Sequence, residues 1–206
     1  MRALILNCTL KKSPATSNTQ ALAKVMSNAL LSQGVTSEII RLVDSLSHLT
    51  MDSDSWTAAE DWLFLRAKIN AAQIVVFAIP ERVSGQQSVV RQLVACLNSQ
   101  TVAGNDDPLH WEKKVAGFIL VGVENRSSDI TEIAIDLVKA GFTIPGRCWA
   151  LSKNSAVESA DAEATQAESK PRRHQSIEHA ARQLVFTARA LEAYRRRRAA
   201  GSQEDN

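Results

Sequence analysis

Ile74-Val75-Val76-Phe77-Ala78-Ile79, closed by Pro80, is the stretch on which the fold turns. Six apolar residues, four of them β-branched, run unbroken into a residue that cannot continue a ladder. That pattern describes a strand buried on both faces. A second such run, Val115-Ala116-Gly117-Phe118-Ile119-Leu120-Val121, ends at Gly122, and residues 2–7 form a shorter third. Strands hidden on both faces belong to parallel sheets flanked by helices. Helices are legible between them. Asn18 to Gln33 carries Leu22, Val25, Met26, Ala29 and Leu30 at helical spacing and stops at Gly34. Trp56 to Ala71 repeats the pattern through Trp62, Leu65 and Ile69, and Gln86 to Asn98 through Val89, Val90, Leu93, Val94 and Leu97. Ser128 to Ala140 does so through Ile130, Ile133, Leu137 and Val138, and Gln175 to Arg198 through Ile177, Ala181, Leu184, Val185, Ala188 and Leu191. Val35 to Val43 reads as a strand, and Phe142-Thr143-Ile144-Pro145 opens the last one. Strands alternating with helices predict an α/β fold: a doubly wound, five-stranded parallel sheet of order 2-1-3-4-5 with helices on both faces.

The chain has 206 residues, 45% of them hydrophobic and 22% charged, with 24 basic and 22 acidic side chains. These values fit a globular domain and exclude a mainly disordered chain, a collagen or a coiled coil. No apolar run approaches the roughly 18–20 residues of a membrane span. The apolar stretch at the N-terminus is too short for a signal peptide, so the expected location is cytoplasmic. Cys8, Cys96 and Cys148 are too scattered for a zinc site or a disulfide framework, and read as reduced thiols of the core. The four histidines share no metal-binding spacing, so no metal site is expected. The expected organisation is a sheet domain over 1–151, then a mobile linker or lid over 152–172. That linker is short of large aliphatics: Val157 alone between Ser152 and Lys170. A C-terminal helix over 173–200 packs on the domain, and 201–206 form a disordered tail. Residues 171–206 hold eight Arg and four acids, which leaves sixteen basic against eighteen acidic residues in 1–170. Arg195 to Arg198 are read as cations complementing the negative end of that last helix. Without interleaved aromatics or a second basic cluster, nucleic acid is not the expected partner.

A doubly wound sheet binds ligands where the carboxyl ends of its strands meet the switch in strand order. Three loops therefore matter: 8–18, 80–86 and 122–128. The first leaves a buried strand and enters a helix, whose unpaired N–H groups and positive dipole end suit an anion. Thr9, Ser13, Thr16, Ser17 and Thr19 offer hydroxyls, and Lys11 and Lys12 offer charge. The loop has neither a Walker GK[ST] nor any glycine. A phosphate held by side-chain hydroxyls fits it better than a pyrophosphate on glycines. Equally, Ser17 or Asn18 could simply cap the helix.

Asn7-Cys8-Thr9-Leu10-Lys11 with Ser17-Asn18-Thr19 resembles the FMN phosphate loop of the NADPH-dependent FMN reductase family, which is flavodoxin-like. Pro80, Ser84-Gly85 and Val89-Val90-Arg91-Gln92-Leu93 resemble the family's flavin-edge loop and following helix. Val121-Gly122-Val123-Glu124-Asn125 and Gly141-Phe142-Thr143-Ile144-Pro145 continue the likeness, in the right order, to about residue 150. The resemblance implies that Thr9, Lys11, Ser17, Asn18 and Thr19 hold the FMN phosphate. It places Pro80, Glu81, Arg82, Val83 and Gly85 along one edge of the isoalloxazine, and Gly122, Glu124 and Asn125 along the other. It implies hydride transfer from NADPH or NADH to flavin N5, then to a small-molecule acceptor such as a flavin or quinone, in a homodimer. The chemistry would be the flavin's own, with no catalytic side chain, and no nucleophile–base set is visible. The family usually follows the proline with a small residue and an aromatic. This chain has Glu81-Arg82-Val83, and Arg126-Ser127 in the third loop. Those altered edges motivate the alternative: a flavodoxin-like scaffold that has lost FMN and serves as a binding or structural module.

Overall fold

The computed structural model describes residues 1–45, 60–80, 89–102, 111–121, 128–152 and 162–204. Strands β1 (Arg2–Asn7), β2 (Thr36–Arg41), β3 (Ile74–Pro80), β4 (Val115–Val121) and β5 (Trp149–Ser152) form one sheet. Every pairing is parallel, in the order β2-β1-β3-β4-β5. This is the doubly wound, flavodoxin-like order expected from the sequence. The helices are α1 (Asn18–Ser32), α2 (Leu42–Ser45), α3 (Glu60–Ala71), α4 (Val89–Val102), α5 (Ser128–Lys139) and α6 (Ala162–Glu204). None among the described residues is long and apolar enough to cross a membrane.

Register assigns the two faces of the sheet. Ile5 pairs with Val76, and Val76 with Gly117. A Cβ added at Gly117 would sit 2.7 Å from both methyl carbons of Leu184, so α6 lies against this face. Asn7 shares the parity of Ile5, and its side chain bonds to Gln20 of α1, which places α1 on the same side. The other face carries Leu6, Phe77, Phe118 and Trp149 in neighbouring register positions. Phe77 stacks on Phe118 at 5.8 Å between ring centroids, and Phe118 on Trp149 at 4.2 Å. Trp149 therefore packs on the face opposite α6. As the first residue of β5 it must follow its register partner, Phe118.

Three boundaries differ from the sequence reading. The last strand is Trp149–Ser152, whereas Thr143 makes only an isolated bridge to Val115. Pro145 has no N–H for a ladder, and Arg147 adopts φ 59°, so the chain turns before it can pair again. Next, α4 continues to Val102, past the Asn98 at which the sequence pattern ends it. Finally, α6 begins at Ala162 rather than near Gln175, and it continues to Glu204. Its first half is rich in Ala, Glu and Gln. Those residues favour helix without an apolar stripe, so the search for a buried face passes over them. Because α6 runs past Arg198, its last turn holds no basic residue. The arginine run thus precedes the helix end instead of closing it. The glycine stops hold. Gly34 (φ 75°) lets the Val35 N–H return to the Leu30 carbonyl at 3.0 Å, and Gly141 (φ 99°) lets the Phe142 N–H return to Leu137 at 3.0 Å.

Candidate functional site

β1 ends at Asn7, wholly buried between its neighbours. A buried amide must find partners. Its Nδ2 donates to Gln20 Oε1 on α1 at 2.6 Å, and its Oδ1 accepts the Thr9 N–H at 3.2 Å. Thr9 Oγ1 in turn accepts the Lys11 N–H at 3.3 Å, which leaves the hydroxyl proton to point elsewhere. Cys8 keeps the chain on β3 one residue beyond the strand, its N–H donating to the Ala78 carbonyl at 2.9 Å. Burial pushes the Cys8 thiol far above its ordinary range, so it is a core group and not a reactive one. Cys96 and Cys148 are likewise buried free thiols, pushed up to about 11.

Past Leu10 the loop is exposed, and the corner between β2 and α2 pins it. Arg41 Nη1 donates to the carbonyls of Lys11 (3.1 Å) and Ala15 (3.3 Å). Asp44 accepts the Ser13 N–H at 3.0 Å and the Ser13 hydroxyl at 2.6 Å. Those two bonds, then the nearby charges of Arg41 and Lys12, hold the Asp44 carboxyl below its usual range. Arg41 Nε lies 3.8 Å from Asp44. Ser13, counted among the phosphate donors from the sequence, is therefore spent on Asp44.

Ser17 is the N-cap of α1, in extended backbone, yet its hydroxyl makes no capping bond. The first turn of α1 contains no acidic residue, so nothing within the helix offsets its positive end. Thr9 and Thr19 are buried, Ser17 is half-buried, and Lys11, Lys12 and Asn18 are exposed. The cap explanation thus fails for Ser17. A helix start with a spare hydroxyl, two more close in sequence and two lysines suits a doubly negative group.

Asn7 pairs with Ala78, and Pro80 with Val121, so the carboxyl ends of β1, β3 and β4 lie along one edge of the sheet. Of the expected flavin-edge residues, Pro80 is described and half-buried at the end of β3. Glu81, Arg82, Val83, Gly85, Gly122, Glu124 and Asn125 lie outside the described residues. Residues 1–156, which contain all five strands and these loops, match the family described as NADPH-dependent FMN reductase.

The chain belongs to the NADPH-dependent FMN reductase family.

A relative in this group, 8-demethyl-8-aminoriboflavin-5'-phosphate synthase of Streptomyces davaonensis, is 29% identical over 157 residues. The match covers 70% of this chain and 60% of that protein, less than two thirds of the relative's length. Among solved structures, RosB with the bound intermediate 8-demethyl-8-formylriboflavin-5'-phosphate superimposes at TM-score 0.73 with 23% identity. That overlap spans 100% of this chain and 88% of RosB. FerB, a flavoenzyme NAD(P)H:(acceptor) oxidoreductase from Paracoccus denitrificans, gives 0.56 at 15% identity over 90% and 97%. At these identities the two structures bear on the fold. For the FMN reductase fold in this chain, sequence reasoning found the hydroxyls but missed Asn7, Gln20, Arg41 and Asp44 as the groups that shape the loop. Asn7 alone had a signal, a polar residue closing an apolar strand.

Proposed function

We propose that this protein is an FMN-binding, NAD(P)H-dependent oxidoreductase of the flavin or quinone reductase type. The observation that carries the reading is the start of α1: an N-cap hydroxyl not used for capping, on a helix without an acidic first turn. The residues fit a phosphate monoester. Thr9, Ser17, Asn18 and Thr19 would hold its oxygens, and Lys11 would add charge from the exposed loop. Pro80, Glu81, Arg82, Val83 and Gly85 would line one ring edge, and Gly122, Glu124 and Asn125 the other. The bound flavin would accept a hydride from NADPH or NADH and pass its electrons to a small-molecule acceptor. The protein's own part is to bind and orient. Its donors would neutralise the phosphate, and Asn7 at the end of β1 fixes the start of the loop through the Thr9 N–H. The relative whose name specifies a riboflavin 5'-phosphate product supports a phosphorylated flavin at this loop. Family membership also supports a homodimer, which sedimentation of the purified protein tests.

The deciding experiment is the visible spectrum of the purified protein, with FMN titrated by fluorescence quenching and NADPH oxidation followed with FMN and a quinone. Flavin absorbance or saturable quenching, with NADPH turnover, is expected. Colourless protein without FMN affinity up to high micromolar removes this reading. It would leave the second one, a scaffold that has lost FMN, which Glu81-Arg82 in place of an aromatic favours. A monomer retaining FMN through gel filtration would count against that second reading.

A further inference from the structure

We infer that Arg41 and Asp44 are positioning residues that hold the 8–17 loop in its phosphate-ready shape while contacting no ligand themselves. The inference rests on the reading of that loop as the FMN phosphate site. Residues 10–16 are all exposed, so burial does not fix them. An unfixed loop would lose backbone entropy at every residue on ordering around a ligand. A prebuilt loop avoids that cost at the moment of binding. The β2–α2 corner supplies the prebuilding at three alternate residues. Arg41 donates to the carbonyls of Lys11 and Ala15, and Asp44 takes both donors of Ser13 between them. The guanidinium and carboxylate also face each other at 3.8 Å. Their charges largely offset, so the corner adds bonds to the loop but little net field at the phosphate.

That balance makes the inference separable from simple electrostatics. If Asp44 acted only by its charge, Asp44→Ala would remove a negative group near a dianion and tighten FMN. If Asp44 positions the loop, Asp44→Ala weakens FMN, as does Arg41→Ala. Ser13→Ala, which changes no charge, weakens it less. The test measures FMN and riboflavin affinities for the full chain and these three variants, together with amide hydrogen exchange over residues 9–16 without flavin. Arg41→Ala and Asp44→Ala are expected to lower FMN affinity roughly tenfold to a hundredfold, as for lost bonds to charged groups. Riboflavin, which lacks the phosphate, should keep its affinity, and exchange in the loop should speed up. Tighter FMN binding in Asp44→Ala overturns the inference. So does equal weakening of FMN and riboflavin, or unchanged exchange in both variants. Failure of the underlying site shows separately, as unchanged FMN affinity when Ser17 and Thr19 are both replaced by Ala in the otherwise intact chain.

Discussion

Ser17 occupies the N-cap of α1 with φ −142° and ψ 130°, a backbone made for capping, and leaves its hydroxyl out of the helix it begins. Replacing a working Ser cap by Ala costs typically about 1 kcal/mol. Here no capping bond is lost, so Ser17→Ala should change unfolding free energy by less than about 0.5 kcal/mol. Its effect should fall on ligand. With Thr19→Ala added, FMN binding should weaken by a few kcal/mol at most, since each lost bond to a charged group is worth roughly 1.5–3 kcal/mol. Paired urea unfolding and FMN titration check both halves, and a stability loss without an affinity loss would return Ser17 to the cap role. At Cys8 the prediction is inertness. Burial raises its thiol, and all three cysteines are buried, so iodoacetamide at pH 8 should label none of them until denaturant is added. Mass spectrometry before and after denaturation reads this directly. What the sequence hid at this scale has a simple cause. A hydroxyl shows that it can donate, but not to whom. Ser13 and Ser17 look alike in the loop, and only a carboxylate 31 positions away separates them.

Among the elements, β4 meets α6 through a missing side chain. Gly117 lies directly under Leu184, and an added Cβ would stand 2.7 Å from two of its carbons and 3.2 Å from a third. Leu184 is fully buried, so its methyl groups would have to shift within a packed layer. Gly117→Ala should therefore cost about 1–3 kcal/mol by overpacking. A double-mutant cycle with Leu184→Ala should recover part of the loss, and strict additivity would show that the strain lies elsewhere. Just before β4, Lys114 reaches back to the end of α3. Its Nζ donates to the carbonyls of Asn70 (2.9 Å) and Ala72 (2.8 Å). Burial, helped by the charges of Arg195 and Lys113, pulls its pKa down to about 8. The folded value thus lies below the ordinary 10.5. Between about 8 and 10.5 the unfolded chain binds more protons, so this lysine makes stability rise with pH there. The neutral amine still has two N–H donors for its two carbonyls. The three thiols, Cys8, Cys96 and Cys148, all raised by burial, work in the opposite sense, so the raw curve mixes the two kinds of group. Subtracting the curve of Lys114→Met isolates the lysine. That difference should grow from pH 7.5 to 10 in urea unfolding, and a flat difference would mean the ammonium is not destabilised in the fold. The elements themselves were largely readable, because β3 and β4 are apolar end to end and the helices carry apolar stripes. The last strand was not. Phe142 to Ile144 and Trp149 to Leu151 look equally strand-like, and which pairs with β4 depends on the turn at Pro145–Arg147.

For the whole molecule, the decisive piece outside the alternating βα units is α6. It buries Ile177, Ala180, Ala181, Leu184, Val185 and Ala188 against the sheet and α1. Arg189 ties it to the carboxyl end of α1 through the Gln33 carbonyl at 2.8 Å. The strand order and the layers followed from composition and period alone, since doubly buried strands leave few other architectures. The extent of α6 did not follow, because the sequence at its ends favours helix without showing an apolar stripe. Beyond the half-buried Leu191, the described side chains are exposed apart from the half-buried Arg195, and Tyr194 is 63% exposed. Two truncations separate these parts. A chain ending at Tyr194 loses Arg195 to Arg198 and the tail, and none of the described residues among them is buried, so its Tm should stay within a few degrees. Arg195 also lowers Lys114, so the same truncation should move the stability rise near pH 8 to higher pH. A chain ending at Ser176 is different. It uncovers Gly117 and loses Ile177, Leu184 and Val185, each worth about 1.5–3 kcal/mol when fully buried, besides three alanines. That sum rivals the roughly 5–15 kcal/mol of a whole domain. The shorter chain should therefore show no cooperative unfolding transition. A cooperative melt from it would mean that the sheet covers this face by other means and that α6 is an accessory, not a layer of the fold.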